Sequence, residues 1–145
     1  MNSVKSAVSR FKQGFNCSQA LVSTYGTRFG LNREIALRGC STLGGGMGRM
    51  GETCGGVTGA LMVIGLRYGK TEVQDKQEKE MTYGLVKEFV NRFKSRNGSI
   101  VCRELLGCDI STPEGLSIAK EKSLIATLCP KFVQDAAEIM EQILD

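Results

Sequence analysis

The sequence contains no histidine. That removes serine–histidine–aspartate and cysteine–histidine catalysis, zinc sites with imidazole ligands, and haem attached through a C-x-x-C-H motif. A nucleophile in this chain must be activated by something other than imidazole, and a metal must rely mainly on sulfur. Prolines are two, Pro113 and Pro130, so long helices are permitted nearly everywhere. No segment stays apolar for the roughly 18 residues that a membrane span needs. The opening residues, MNSVKSAVSRFKQGFNC, lack the apolar centre of a signal peptide, and a cytoplasmic location is expected. No run alternates β-branched and polar residues with period two, so no sheet is expected. The formal charge of +4 is mild and its signs are interspersed, so nothing demands a nucleic-acid partner.

What is present fits one domain over residues 1–145, long enough to bury a core without disulfides. Its outstanding feature is six cysteines. In a reducing compartment such cysteines are buried filler, metal ligands or redox centres rather than a disulfide framework.

Periodicity places an opening helix on Val4, Ala7, Val8, Phe11 and Phe15, capped by Ser3. Asn16 caps a second helix from Cys17, ended by Gly30, and a third runs from about Arg33 to Leu43. Thr71 is the expected cap of a long polar helix with Val73, Met81, Leu85, Phe89, Val90 and Phe93 on its inner side, ended at Asn97-Gly98. Short helices follow near Cys102 and from Thr112-Pro113 to about Leu124, and a last one is expected from Pro130 to Leu144. The fold class is therefore all-α, a single-domain bundle of about six to eight helices. A glycine-rich loop precedes its central helix.

That loop and helix, Gly44 to Gly69, organise the chain. Gly44, Gly45, Gly46, Gly48 and Gly51 crowd into eight residues that cannot be regular structure. Val57, Ala60, Leu61, Ile64 and Tyr68 then recur mostly at helical spacing. Thr53 reads as the cap, which puts the Cys54 thiol in the first helical turn. Three other cysteines share the position: Cys17 after Asn16, Cys102 opening VCRELLG, and Cys129 as the cap before Pro130. A helix start favours nearby negative charge by about 0.3–1 kcal/mol. At about 1.36 kcal/mol per pH unit, each thiol should titrate several tenths to more than one unit lower than usual. Cys40, inside a helix, and Cys108, near the end of one, lack this feature.

Other readings of the same residues stand beside this one. A free cysteine often serves as a small buried hydrophobe. There is no C-x-x-C, and the Cys102/Cys108 spacing matches no standard ligand pattern. Gly46 to Gly51 satisfies G-x-G-x-x-G with Glu72 further on, but the residues before it, EIALRGCSTL, look helical, whereas a dinucleotide site needs a strand there. An anion held by backbone N–H groups with Arg49 is another reading. A tight helix connection is the simplest, with Gly55, Gly56 and Gly59 suited to close packing on another helix or a cofactor.

At these residues the chain resembles a family of redox-active proteins named for a C…GCAxxG…C…C motif. Phe15-Asn16-Cys17-Ser18-Gln19-Ala20 is similar to its first cysteine block. Gly44-Gly45-Gly46-Met47-Gly48, with Glu52-Thr53-Cys54-Gly55-Gly56-Val57-Thr58-Gly59, resembles the central motif. Cys102-Arg103-Glu104-Leu105-Leu106-Gly107 resembles the third block, and Cys129-Pro130 with Val133, Ala136 and Ala137 the fourth. Thr53 and Gly55 stand where the family name has glycine and alanine, so small residues are kept. The resemblance implies Cys17, Cys54, Cys102 and Cys129 as the motif cysteines, with a cysteine-based redox or metal-cluster role.

Three functions are then open. In one, the four cysteines gather beside the loop, a thiolate (Cys54 first) attacks a disulfide or oxidised substrate, and a second cysteine resolves the product. That would be a thiol-dependent oxidoreductase serving a redox partner protein or a small thiol or disulfide. In the second, Cys17, Cys54, Cys102 and Cys129 bind an iron–sulfur cluster or another thiophilic metal, and the loop supplies N–H groups. Gly45, Gly46, Gly48, Arg49 and Gly55 are the candidate cofactor contacts in either case. Covalent haem is not expected. In the third, the protein is a non-catalytic helical interaction module. Phe11, Phe89 and Phe93 are candidate faces for a homo-oligomer and equally candidate core residues.

Overall fold

The computed structural model describes residues 2–144. Eight α-helices are present among them: α1 (Ser3–Lys12), α2 (Cys17–Tyr25), α3 (Arg33–Gly39), α4 (Gly55–Tyr68), α5 (Lys76–Asn97), α6 (Cys102–Leu106), α7 (Pro113–Glu121) and α8 (Leu124–Ile143). A 3₁₀ turn, Gly26–Phe29, follows α2 and closes on Gly30 in the left-handed region. The β structure among the described residues is a single isolated bridge, Thr53 to Val101. The all-α expectation holds, with α4 at the centre, packed against α2, α5 and α8.

The centre is made possible by glycine. A Cβ on Gly59 would stand 3.1 Å from the Ser18 Cα, and one on Gly55 would stand 3.1 Å from the Cys17 Cβ. The α2 and α4 backbones therefore meet without intervening side chains. Gly56, on another face, would put a Cβ 3.4 Å from the Phe132 carbonyl oxygen of α8. Val57, Ala60, Val63 and Ile64 complete a helix whose surface is mostly covered.

Several expected boundaries shift, each for a local reason. Asn2, not Ser3, caps α1, because its side chain accepts from the Lys5 amide at 2.8 Å; the helix stops at Lys12 and Phe15 lies beyond it. α3 ends at Gly39 rather than Leu43. The Asn16 amide donates to the Cys40 carbonyl at 3.1 Å, turning the chain where the helix would have continued. α5 starts at Lys76 with Asp75 as its cap residue, not at Thr71. Val73 is 94% exposed and Met81 51%, so that end of the stripe has no apolar surface to meet. Phe89 and Phe93 are fully buried and stacked on each other, so they are core rather than an oligomer face.

The largest correction is at the C-terminus. α8 begins at Leu124, after a left-handed Ser123, and Pro130 sits inside it. Proline cannot donate to the Ala126 carbonyl four residues back, which breaks one rung of the ladder. The helix persists because Phe132, Val133, Ala136, Ala137, Ile139 and Met140 bury a continuous face. Cys129 is therefore interior to a helix and is not a cap.

Candidate functional site

The glycine run winds the wrong way. Gly45, Gly46, Met47, Gly48 and Arg49 have consecutive φ values of 66°, 71°, 67°, 60° and 62°. Left-handed turns disfavour L-residues by about 1–2 kcal/mol each, so three of five positions being glycine keeps this one affordable. Long-reach bonds close it: the Gly51 amide donates to the Gly45 carbonyl at 3.1 Å, and the Glu52 amide to Gly46 at 3.0 Å.

The chain leaving the turn is then clamped to the segment before α6. The Cys54 amide donates to the Ile100 carbonyl at 2.8 Å, and the Cys102 amide to the Glu52 carbonyl at 2.6 Å. An Arg103–Glu52 ion pair of 2.8 Å lies outside this bridge. The pairing makes Cys54 itself the N-cap of α4, with extended backbone, and moves the expected cap Thr53 into the bridge. Gly46 lies against the other clamped cysteine: a Cβ there would stand 2.8 Å from the Cys102 Cβ.

Cys17 arrives by a different route. Asn16 accepts from the Gln19 amide, and Gln19 accepts from the Asn16 amide, a complete capping box. Gln19 also donates to the Leu37 carbonyl at 2.9 Å, tying the start of α2 to α3. Cys129 is carried in by α8, which packs on both α2 and α4.

The four cysteines line one cavity of about 930 Å³. All are free thiols, 4% to 8% exposed. Gly45, Gly46, Gly48, Arg49 and Gly55 also form part of its wall. Close packing already accounts for Gly46 and Gly55. Cys40 lies elsewhere, its sulfur 3.9 Å from the Met62 sulfur. Cys108 points its sulfur at the Gly115 carbonyl.

The sulfurs are not equivalent. The Cys54 thiol is held below its ordinary pKa, first by a hydrogen bond from Cys17 and then by the Gly56 and Val57 amides, against the opposing effect of burial. No side-chain capping bond is formed, and Cys17 is the principal partner, with the amides second to it. Cys17 moves well upward, because its proton is wanted by Cys129 first and Cys54 second, and because it is buried. Cys102 is pushed up to about 12 by burial, reinforced by repulsion from Cys54, Cys129 and Cys108. The expectation that every helix-start thiol would be acidified is thus corrected at Cys17 and Cys102. Desolvation and neighbouring sulfur outweigh the helix-end contribution there.

A family model described as "Putative redox-active protein (C_GCAxxG_C_C)" matches residues 15–143. The chain belongs to this family. Comparison with curated proteins and with solved structures gave no significant match. The four cysteines on which the resemblance rests, Cys17, Cys54, Cys102 and Cys129, share the cavity.

Among the described residues, no three of cysteine, aspartate and glutamate stand close enough to hold a metal ion as placed. An iron–sulfur or other thiophilic centre held by Cys17, Cys54, Cys102 and Cys129 would need the sulfurs drawn together. Among the described residues, no helix is long and apolar enough to cross a membrane.

The sequence reading missed the clamp itself and part of the cavity wall. Ile100, Val101 and Arg103 pair with residues about fifty positions away, a separation with no local signature. Phe15, Ile110, Lys12 and Lys120 line the cavity from three separate segments.

Proposed function

We propose that this member of the family carries out thiol–disulfide exchange, with Cys54 as the attacking sulfur and Cys17 as the resolving one. The observation that carries the reading is the placement of this pair: Cys17 packs against Gly55, the residue that follows Cys54, and both cysteines line one cavity. The opposite directions of their pKa shifts, Cys54 down and Cys17 up, support the division of roles. A thiolate is the nucleophile in such exchange, and a protonated neighbour is a sulfur in reserve.

The Cys54 thiolate attacks one sulfur of a disulfide substrate. A new S–S bond forms to Cys54 as the substrate S–S bond breaks, and one half leaves as a thiolate. Cys17 then attacks the Cys54 sulfur, its proton passing to the departing second half. The substrate gains two electrons, and the protein is left with a Cys17–Cys54 disulfide. An external dithiol reduces that disulfide and completes the cycle. The reading takes the site of action to be a reducing, cytoplasmic setting, where such a donor is available and the thiols stay free.

The test is to expose reduced, full-length protein to a disulfide and map the product by mass spectrometry. Wild type should lose two hydrogens and yield a Cys17–Cys54 cross-linked peptide. Cys17→Ser should accumulate a mixed disulfide on Cys54, and Cys54→Ser should suppress the reaction. If Cys54→Ser reacts as fast as wild type, the proposal fails. If anaerobically isolated protein carries stoichiometric iron with broad visible absorption, the cluster reading replaces it.

A further inference from the structure

We infer that the substrate is a small disulfide with an apolar body and an anionic group, an inference that rests on the exchange reading above. The four cysteines are at most 8% exposed and share one cavity, so a disulfide reaches their sulfurs through that cavity. The volume of about 930 Å³ lies near the upper end of ordinary small-molecule sites and leaves room for much more than two sulfurs.

The wall says what that remainder is. Phe15, Leu105, Leu106, Ile110, Ile125 and Phe132 contribute apolar surface. The charged residues on the wall are Lys12, Arg49 and Lys120, with no aspartate or glutamate among the lining residues. All three cations are exposed, and they come from the end of α1, the left-handed turn and α7. Among the described residues none of them is in an ion pair. Three unpaired cations around an apolar cavity attract a negative group and repel a positive one. The exchange balances as written above: one substrate S–S bond is cleaved, two thiols are released, and the protein gains one disulfide.

The test uses reduced full-length protein and three symmetrical disulfides of equal chain length, made from a mercaptohexanoate, a mercaptohexanol and an aminohexanethiol. Distance from the sulfur keeps their intrinsic reactivities close, and each rate is divided by that of a small neutral thiol. The carboxylate should react about tenfold faster than the amine at low salt, with the alcohol between them. The preference should shrink in about 1 M salt, where the screening length is about 3 Å. Arg49→Gln alone, and Lys12→Gln with Lys120→Gln, should each reduce the carboxylate-to-amine ratio by about two- to fivefold. Equal normalised rates across the three, all well above one, overturn the substrate class and leave exchange at Cys54 intact. Rates no faster than the small thiol for all three overturn both readings.

Discussion

Thr53 and Val101 face each other across a single antiparallel bridge, and that pairing brings the second and third motif cysteines together. Each flanking cysteine amide is spent on it: Cys54 donates to Ile100 and Cys102 to Glu52. Both sulfurs are thus fixed by backbone, not by side-chain rotamers alone. Cys17 and Cys129 come in on helices that pack against the same central α4. The geometry therefore depends on how closely backbones can approach, which is why glycine matters here more than any apolar residue.

Gly46→Ala tests that dependence. The new methyl group would stand 2.6 Å from the Glu52 amide nitrogen and 2.8 Å from the Cys102 Cβ, at φ 71°. Left-handed strain and the clash together should cost about 2 kcal/mol or more. Gly48→Ala has similar strain, at φ 60°, but its nearest contact is 3.8 Å away; about 1 kcal/mol is expected. Urea midpoints should separate the two variants. Equal losses would mean that Gly46 is not seated on Cys102.

Much of this was legible in the sequence, for reasons that can be named. The Asn16 cap works over three residues, and the α4 stripe over a few turns, so both leave a local pattern. The four cysteines that the sequence singles out share a cavity. What could not be read was set by distant partners. Pro130 suggested a helix start, but the long apolar face from Phe132 to Met140 carried the helix through it. Thr53 is a good cap residue locally, yet pairing with Val101 took it out of the helix. Acidified thiols follow from helix ends alone, whereas neighbouring thiols decide Cys17 and burial decides Cys102.

The helix contact at Ser18 gives a second pair of glycines to compare. Gly59→Ala would press a methyl group to 3.1 Å from the Ser18 Cα, where backbone cannot yield as a side chain can. About 1–3 kcal/mol should be lost. Gly65 lies in the same helix with nothing within 4 Å. Gly65→Ala should therefore stabilise the protein by roughly 0.5–1 kcal/mol through helix propensity. Thermal denaturation should move in opposite directions for the two.

The unequal thiols make two pH-dependent predictions. At neutral pH, iodoacetamide should label Cys54 well before Cys17 or Cys102, as followed by peptide mapping; labelling of Cys102 first would contradict the assignment. For stability, the signs are opposite. Cys54 titrates lower folded than unfolded, so it stabilises the fold above the ordinary thiol range and loses that effect as pH falls through its folded value. Cys102 rises from 9.0 to about 12, so the fold favours its protonated form and stability declines as pH climbs between those values. Cys102→Ser removes that titration. Its urea midpoint should fall less than wild type's between about pH 8 and pH 11, and a steeper fall would reverse the sign.

Pro130 offers the last test, because two opposing effects differ in size. Inside α8 it withholds an N–H from the Ala126 carbonyl and crowds that oxygen, a penalty of about 3 kcal/mol in a helix interior. Against this, proline stiffens the unfolded chain, which favours the native state by only about 0.4–1 kcal/mol. Pro130→Ala should therefore raise stability by about 1–3 kcal/mol, with the reduced protein compared by urea denaturation. Both Ala126 and Pro130 line the cavity, and the substitution restores an N–H that can donate to the Ala126 carbonyl. If stability drops instead, the proline ring is contributing more through its contacts in the cavity wall than the missing helix bond removes.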